Sequence, residues 1–359
     1  MVEVDFIFSL LVLLSLIAVL IGFVWWRIRD TIPFLYPTGV LMAKEARLID
    51  YSRFEELILS PLEDFVSFLQ NTECGEYIGR TTYEEIESGL LLFKMNLHYE
   101  LFKLIPEQFS DIFDFLVREW DVMNLRTVLT GVHAGLPVDE VRNRLIEGGE
   151  MFEKISSVAG EDIERIASTF EGTPLAGAIE EYNRIKDFSG IDLALGKWMI
   201  EDISRKLDGR GDKKLWLVKR YLEIYVDGLN LKVMLRGKEG GVTEEEIKRF
   251  LIGAEVMRVY GETGSVREFL ERVRETRYGY LITEVEDDVM RMERRIDEAV
   301  LRKVKELSSE EAFGFGPILR FLVMKDAEIR NLRMIAKLKG EEVPHDRIKE
   351  MMVRVGKGG

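Results

Sequence analysis

Twelve residues, Asp227-Gly-Leu-Asn230-Leu231-Lys232-Val-Met-Leu-Arg236-Gly237-Lys238, gather a carboxylate, a carboxamide, three bases and two glycines. Such a set could hold an anion or polarise a carbonyl if a nucleophile or general base stood at a fixed distance from the amide. None does, and the stretch has two relatives that point elsewhere. Upstream the chain reads Asp121-Val-Met-Asn124-Leu125-Arg126, and downstream Glu328-Ile-Arg-Asn331-Leu332-Arg333, so each copy is acid, two residues, Asn, Leu, base. The asparagines lie 106 and then 101 residues apart, and each is followed 17 positions later by an aliphatic residue, Val141, Ile247 and Ile348. A constant internal offset marks repeated units.

Other chemistries find less support. His98, His133 and His345 are scattered, without a second His at helical spacing, so no zincin-type site exists and each is expected to be solvated or to cap a helix. No Gly-x4-Gly-Lys-Ser/Thr loop occurs, and Phe313-Gly-Phe-Gly316 is too short for a dinucleotide fingerprint. Cys74 is the only cysteine, which rules out an intrachain disulfide and a cysteine-based zinc site. Acidic runs such as Glu244-Glu-Glu246 read as solvated helix starts, where negative charge favours the helix dipole. No catalytic residue, cofactor or metal site is therefore expected.

The elements that carry the repeated pattern are helical by periodicity. Four residues before the asparagines stand Trp120, Val226 and Ala327, and four after them Val128, Met234 and Ile335, so each Asn belongs to an apolar stripe. A buried carboxamide without partners costs about 1–3 kcal/mol, so each should bond backbone groups of an adjoining segment and fix how its helix docks. Long helices are expected over about 109–130, 213–236 and 316–339, stopped by Gly131, Gly237 and Gly340, with shorter first helices such as 61–69 and 174–185. Pro317 suits the first turn of the third. No segment alternates long enough to form a strand, so the chain reads as all-α, with repeats over 51–149, 160–256 and 265–354. Pro33, Pro37 and Gly39 mark residues 28–50 as a linker.

The N-terminus adds a separate feature. Residues 6–26 carry no charge, and at 1.5 Å per residue a helix of that length spans roughly 31 Å, the thickness of a bilayer's hydrocarbon core. The run starts at Phe6 and ends in Trp25, Trp26, Arg27 and Arg29, an aromatic belt followed by positive charge. This predicts a single-pass anchor over 1–27, in contact with lipid through 6–26, with the bulk on the cytoplasmic side of the cell membrane. A signal peptide is disfavoured, because Glu3 and Asp5 replace the usual basic start.

With 359 residues, 47% hydrophobic and 32% charged, the chain can fold into two or three units. A formal net charge of −14 and the lack of a basic stripe argue against nucleic acid as a partner.

The triplicated pattern, the Leu-Arg-Gly-Lys closing its second copy and the Glu-Ile-Arg-Asn-Leu-Arg of its third resemble the C subunits of archaeal A-type ATP synthases, the counterparts of the d subunits of eukaryotic vacuolar (V-type) pumps. The resemblance covers about residues 45–354. It implies three similar helical bundles around a pseudo-threefold axis, forming a funnel between the membrane rotor ring and the central-stalk subunits of D and F type. It implies a non-catalytic part that transmits torque. It also implies that Asp121, Asn124, Leu125, Asp227, Asn230, Leu231, Arg236, Gly237, Glu328, Asn331 and Leu332 form docking joints. The third copy has Leu338 where Gly131 and Gly237 stand, and the first has Thr130 in place of Arg236, so Arg236 is not required identically in all three units. A membrane-anchored helical scaffold for another cytoplasmic partner is the alternative.

Overall fold

Pro33 opens a helix instead of breaking one. In the computed structural model of the chain, which describes residues 2–79, 82–173, 175–185, 190–252 and 257–354, Ile32–Glu45 is helical, with Pro33 in its first turn and Pro37 inside. The expectation that Pro33, Pro37 and Gly39 break helix within residues 28–50 is thereby corrected. Proline in a first turn gives up no helical hydrogen bond, whereas an interior one costs about 3 kcal/mol. Tertiary burial offsets that cost: Phe34, Pro37, Thr38 and Leu41 are buried, and Phe34 meets Phe315 edge-on at 5.0 Å.

All regular structure among the described residues is helical, with no strand. Three helices carry the repeated pattern, Phe115–Ala134, Trp216–Glu239 and Phe315–Gly340, and are called here the first, second and third signature helices. Three further long helices, Tyr83–Leu104, Gly190–Asp208 and Val289–Ser309, alternate with them. Tyr83–Leu104 packs on the third and first signature helices, Gly190–Asp208 on the first and second, and Val289–Ser309 on the second and third, which closes a ring of contacts. Two of the intervening helices open with side-chain caps, Thr82 accepting from the Glu85 N–H and Asp288 from the Arg291 N–H.

Two of the expected glycine stops are corrected. The first signature helix runs through Gly131 to Ala134 and ends on Gly135, in the left-handed region at φ +63°, and the second runs through Gly237 to Glu239. Gly131 and Gly237 serve packing instead. A Cβ on Gly131 would fall 2.4 Å from Val141 Cγ2, and one on Gly237 2.6 Å from Ile247 Cδ1. Gly340 closes the third helix as expected.

The apolar cores are offset from the sequence units. One joins Val122–Val141 to residues 155–195, another joins Leu231–Leu251 to 260–299, and the largest joins residues 315–352 to 34–116. The first two therefore combine the second half of a signature helix with the helices that follow it, whereas the largest takes in the third signature helix along nearly its whole length, the start of the chain and side chains between 203 and 218.

Val2–Ile28 forms one helix. Among the described residues no helix is long and apolar enough to cross a membrane, so the expected span over 6–26 is not upheld. Within that helix the side chains from Leu13 to Trp25 are all exposed. The anchor residues Phe6, Trp26 and Arg27 have side chains outside the described set. Trp25 is exposed, and Arg29 lies exposed 3.7 Å from Asp30.

Candidate functional site

Each signature asparagine binds the backbone of the residue 22 positions later. Asn124 donates from Nδ2 to the Ile146 carbonyl and accepts at Oδ1 from the Ile146 N–H, both at 2.8 Å, with a further Nδ2 bond to the Gly148 carbonyl. Asn230 makes the same pair with Ile252, its Oδ1 accepting from the N–H at 2.9 Å. Asn331 makes it with Val353, at 2.7 Å to the carbonyl and 3.1 Å from the N–H. All three side chains are buried. The carboxamide thus satisfies a backbone donor and acceptor that would otherwise lie unpaired in an apolar seam. Leu125, Leu231 and Leu332 are buried beside them and extend those cores.

The acids three residues earlier hold different groups. Asp121 accepts from the N–H groups of Glu150 and Met151 at 3.1 and 2.9 Å, just before the helix Phe152–Ser157. Burial pushes its pKa up, against the lowering effect of those two bonds. Glu328 accepts from the Ile49 N–H at 2.7 Å, just before the helix Tyr51–Leu59, and pairs through its other oxygen with buried Lys325. Asp227 accepts instead from the Tyr280 hydroxyl at 3.0 Å, and burial raises its pKa. Asp227 and Asn230 also line a groove of about 460 Å³ with Arg220, Arg277 and Tyr280.

Arg236 leaves the joint. Its side chain points away, 72% exposed, and pairs with Glu293 of the helix Val289–Ser309. Lys238 donates to the Thr263 carbonyl and lies over the Tyr260 ring at 4.3 Å.

The centre that sequence reasoning missed sits five residues before the asparagines. Those positions are Glu119, Tyr225 and Asp326, and Lys94 lies among them, 2.6 Å from Glu119, 3.7 Å from Asp326, and lining one cavity with Asp326 and Tyr225. His98, one turn along the same helix as Lys94, is 1% exposed, which corrects the expectation of a solvated or capping histidine. Its Nε2 bonds Asp326 Oδ1 at 3.2 Å, and its Nδ1 makes a charge contact of 3.2 Å with Glu119. Burial disfavours the imidazolium, but the two carboxylates outweigh it and raise the pKa to about 9. Burial likewise acts to raise Glu119, while Lys94 and His98 hold it well below the usual carboxylate range. Tyr225 is pushed up to about 12, chiefly by burial and by Glu119. The signal available in the sequence is the shared offset of Glu119, Tyr225 and Asp326 from their asparagines.

No group of three or more His, Cys, Asp or Glu side chains suited to a metal ion occurs among the described residues. The chemistry of both arrangements is association: carboxamides and carboxylates saturate backbone groups, and charged side chains saturate one another.

Residues 37–351 match the protein family described as ATP synthase (C/AC39) subunit. The chain is 30% identical over 335 residues to the C subunit of the A-type ATP synthase of Thermococcus kodakarensis, covering 90% of this chain and 91% of that one. It is 27% identical over 348 residues to the protein of the same name in Methanocaldococcus jannaschii, covering 90% and 87%. A third such relative, from Pyrococcus horikoshii, is 27% identical over 360 residues and is covered to 96% on both sides.

Proposed function

The chain belongs to the ATP synthase (C/AC39) subunit family, and from that premise we propose that this component of an A-type ATP synthase is the rotor adapter between the membrane ring and the central stalk. In this reading it carries no catalytic step. Its partners are the ring subunits on one side and stalk subunits of D and F type on the other. It passes torque between ion translocation and ATP synthesis or hydrolysis.

The observation that carries the proposal is the closed ring of six helices whose three signature helices present Glu119, Tyr225 and Asp326 to one centre. Equivalent positions meeting at a point favour a pseudo-threefold funnel built from units at 51–149, 160–256 and 265–354. A body closed in this way resists shear, because a load on one helix is shared by two neighbours. The asparagine and acid joints are assigned the task of docking each unit onto the next. The test is mild detergent extraction of membranes followed by isolation of the chain. Ring and stalk subunits should accompany it; recovery alone, or with unrelated polypeptides, would favour a scaffold instead.

A further inference from the structure

The helices of the second and third units enclose a cavity of about 290 Å³ beside the central cluster. That is at the small end for ligand sites, which span roughly 300–1,000 Å³, and it suits one or two side chains better than a nucleotide. Its wall is cationic in a chain of net charge −14: Lys94, Lys232, Arg330 and Arg333 face it, against Asp297 and Asp326. From behind, Glu119 reaches Lys94 and Glu87 reaches Arg333. Lys232 and Arg330 differ, because among the described residues they share one carboxylate, Asp297, at 2.7 and 2.9 Å. Arg330 remains 45% exposed and Tyr225, on the same wall, 39% exposed, so both can be reached from outside.

We propose that this cavity is an acceptor socket for a carboxylate-bearing segment of the central-stalk polypeptide, which enters between Lys232 and Arg330. The proposal rests on the rotor-adapter reading and names the chemistry of its stalk contact. An incoming carboxylate takes one of the two cations from Asp297, giving each base its own acid, and the neutral Tyr225 hydroxyl supplies a further donor. Opposite charge across such a contact gives it register and makes it sensitive to salt.

The test uses the full chain in the complex extracted with mild detergent, reading how much stalk polypeptide stays bound as ionic strength rises. Lys232→Gln combined with Arg330→Gln should weaken retention about tenfold at a given salt concentration. Asp297→Asn, which removes the competing carboxylate, should strengthen it; a purely structural seam would weaken in both cases. Melting of each isolated variant separates loss of binding from loss of folding. A benzophenone amino acid in place of Tyr225 should crosslink to a stalk polypeptide at an acidic stretch. Crosslinks to lipid or to the ring, or retention unchanged in the double variant, would overturn the socket while leaving the adapter reading intact. If the unaltered chain fails to co-purify with ring and stalk, the adapter reading falls as well.

Discussion

Glu328 accepts a hydrogen bond from the backbone N–H of Ile49, 279 residues earlier, at 2.7 Å. Asp121 does the same for Glu150 and Met151. In both cases the acid holds the chain just before a short helix, Tyr51–Leu59 or Phe152–Ser157, so the third signature helix is tied to the start of the chain without a covalent link. Arg320 pairing with Glu45 adds to the same seam.

Glu328→Ala should therefore be the most damaging change at a signature acid. It leaves Lys325, 4% exposed, with the Glu73 carboxylate at 3.4 Å as its remaining ion-pair partner, and it frees the Ile49 N–H. The expected loss is about 2–3 kcal/mol by urea denaturation, because one ion pair and one charge-assisted hydrogen bond go while Glu73 stays beside the lysine. Glu328→Leu combined with Lys325→Met should recover part of that loss, since the buried lysine goes with its partner while Glu73 keeps Arg47. Equal loss in the double variant would show that the N–H bond, and not the ion pair, dominates.

The three asparagines should behave alike. Replacing Asn124, Asn230 or Asn331 with Ala strands a backbone donor and acceptor at Ile146, Ile252 or Val353, and each should cost about 1–3 kcal/mol. Hydrogen exchange should report the defect locally, with faster exchange at the amide 22 residues downstream. Protection unchanged at Ile252 in Asn230→Ala would refute the assigned docking role.

The asparagine joint is legible because a polar residue kept in an apolar stripe three times leaves a trace in spacing. The intervening helices Tyr83–Leu104, Gly190–Asp208 and Val289–Ser309 carry no repeated motif, so only the closed ring of contacts reveals their weight in the fold. The burial of His98 is hidden for the same reason. It depends on Glu119 and Asp326, 21 and 228 residues away, and no local pattern records either contact. The glycines depart from expectation on other grounds. Glycine after an apolar run usually ends a helix, yet at 131 and 237 close approach by Val141 and Ile247 overrides the propensity.

That override makes Gly131 a sharp probe. A methyl group there meets the branched Val141, which has no flexible end to move, whereas at Gly237 the nearest atom is the terminal Cδ1 of Ile247. Gly131→Ala should destabilise by about 1–3 kcal/mol through overpacking, and Val141→Ala on top of it should restore part of the loss. Gly237→Ala also meets the hydroxyl of buried Tyr260 at 2.8 Å and should cost a similar amount. The check is the midpoint of denaturation across the four variants, and strictly additive effects of Gly131→Ala and Val141→Ala would mean the two do not touch as described.

His98 makes stability fall with rising pH. The folded protein holds the second imidazole proton up to about pH 9, while an unfolded chain releases it near 6.5. The stabilisation linked to that proton is thus complete below about pH 6.5 and disappears as pH rises through 9, a change on the order of 3 kcal/mol. The groups facing the ring titrate elsewhere: Glu119 is ionised far below this window, and Lys94 and Tyr225 keep their protons above it. Denaturation of the wild type and of His98→Gln at about pH 6 and about pH 9.5, either side of that window, isolates the effect. The wild type should lead clearly at the lower pH and lose most of that lead at the higher. A lead that is constant with pH would mean that the imidazole is buried neutral, and that Glu119 and Asp326 are held together by Lys94 alone.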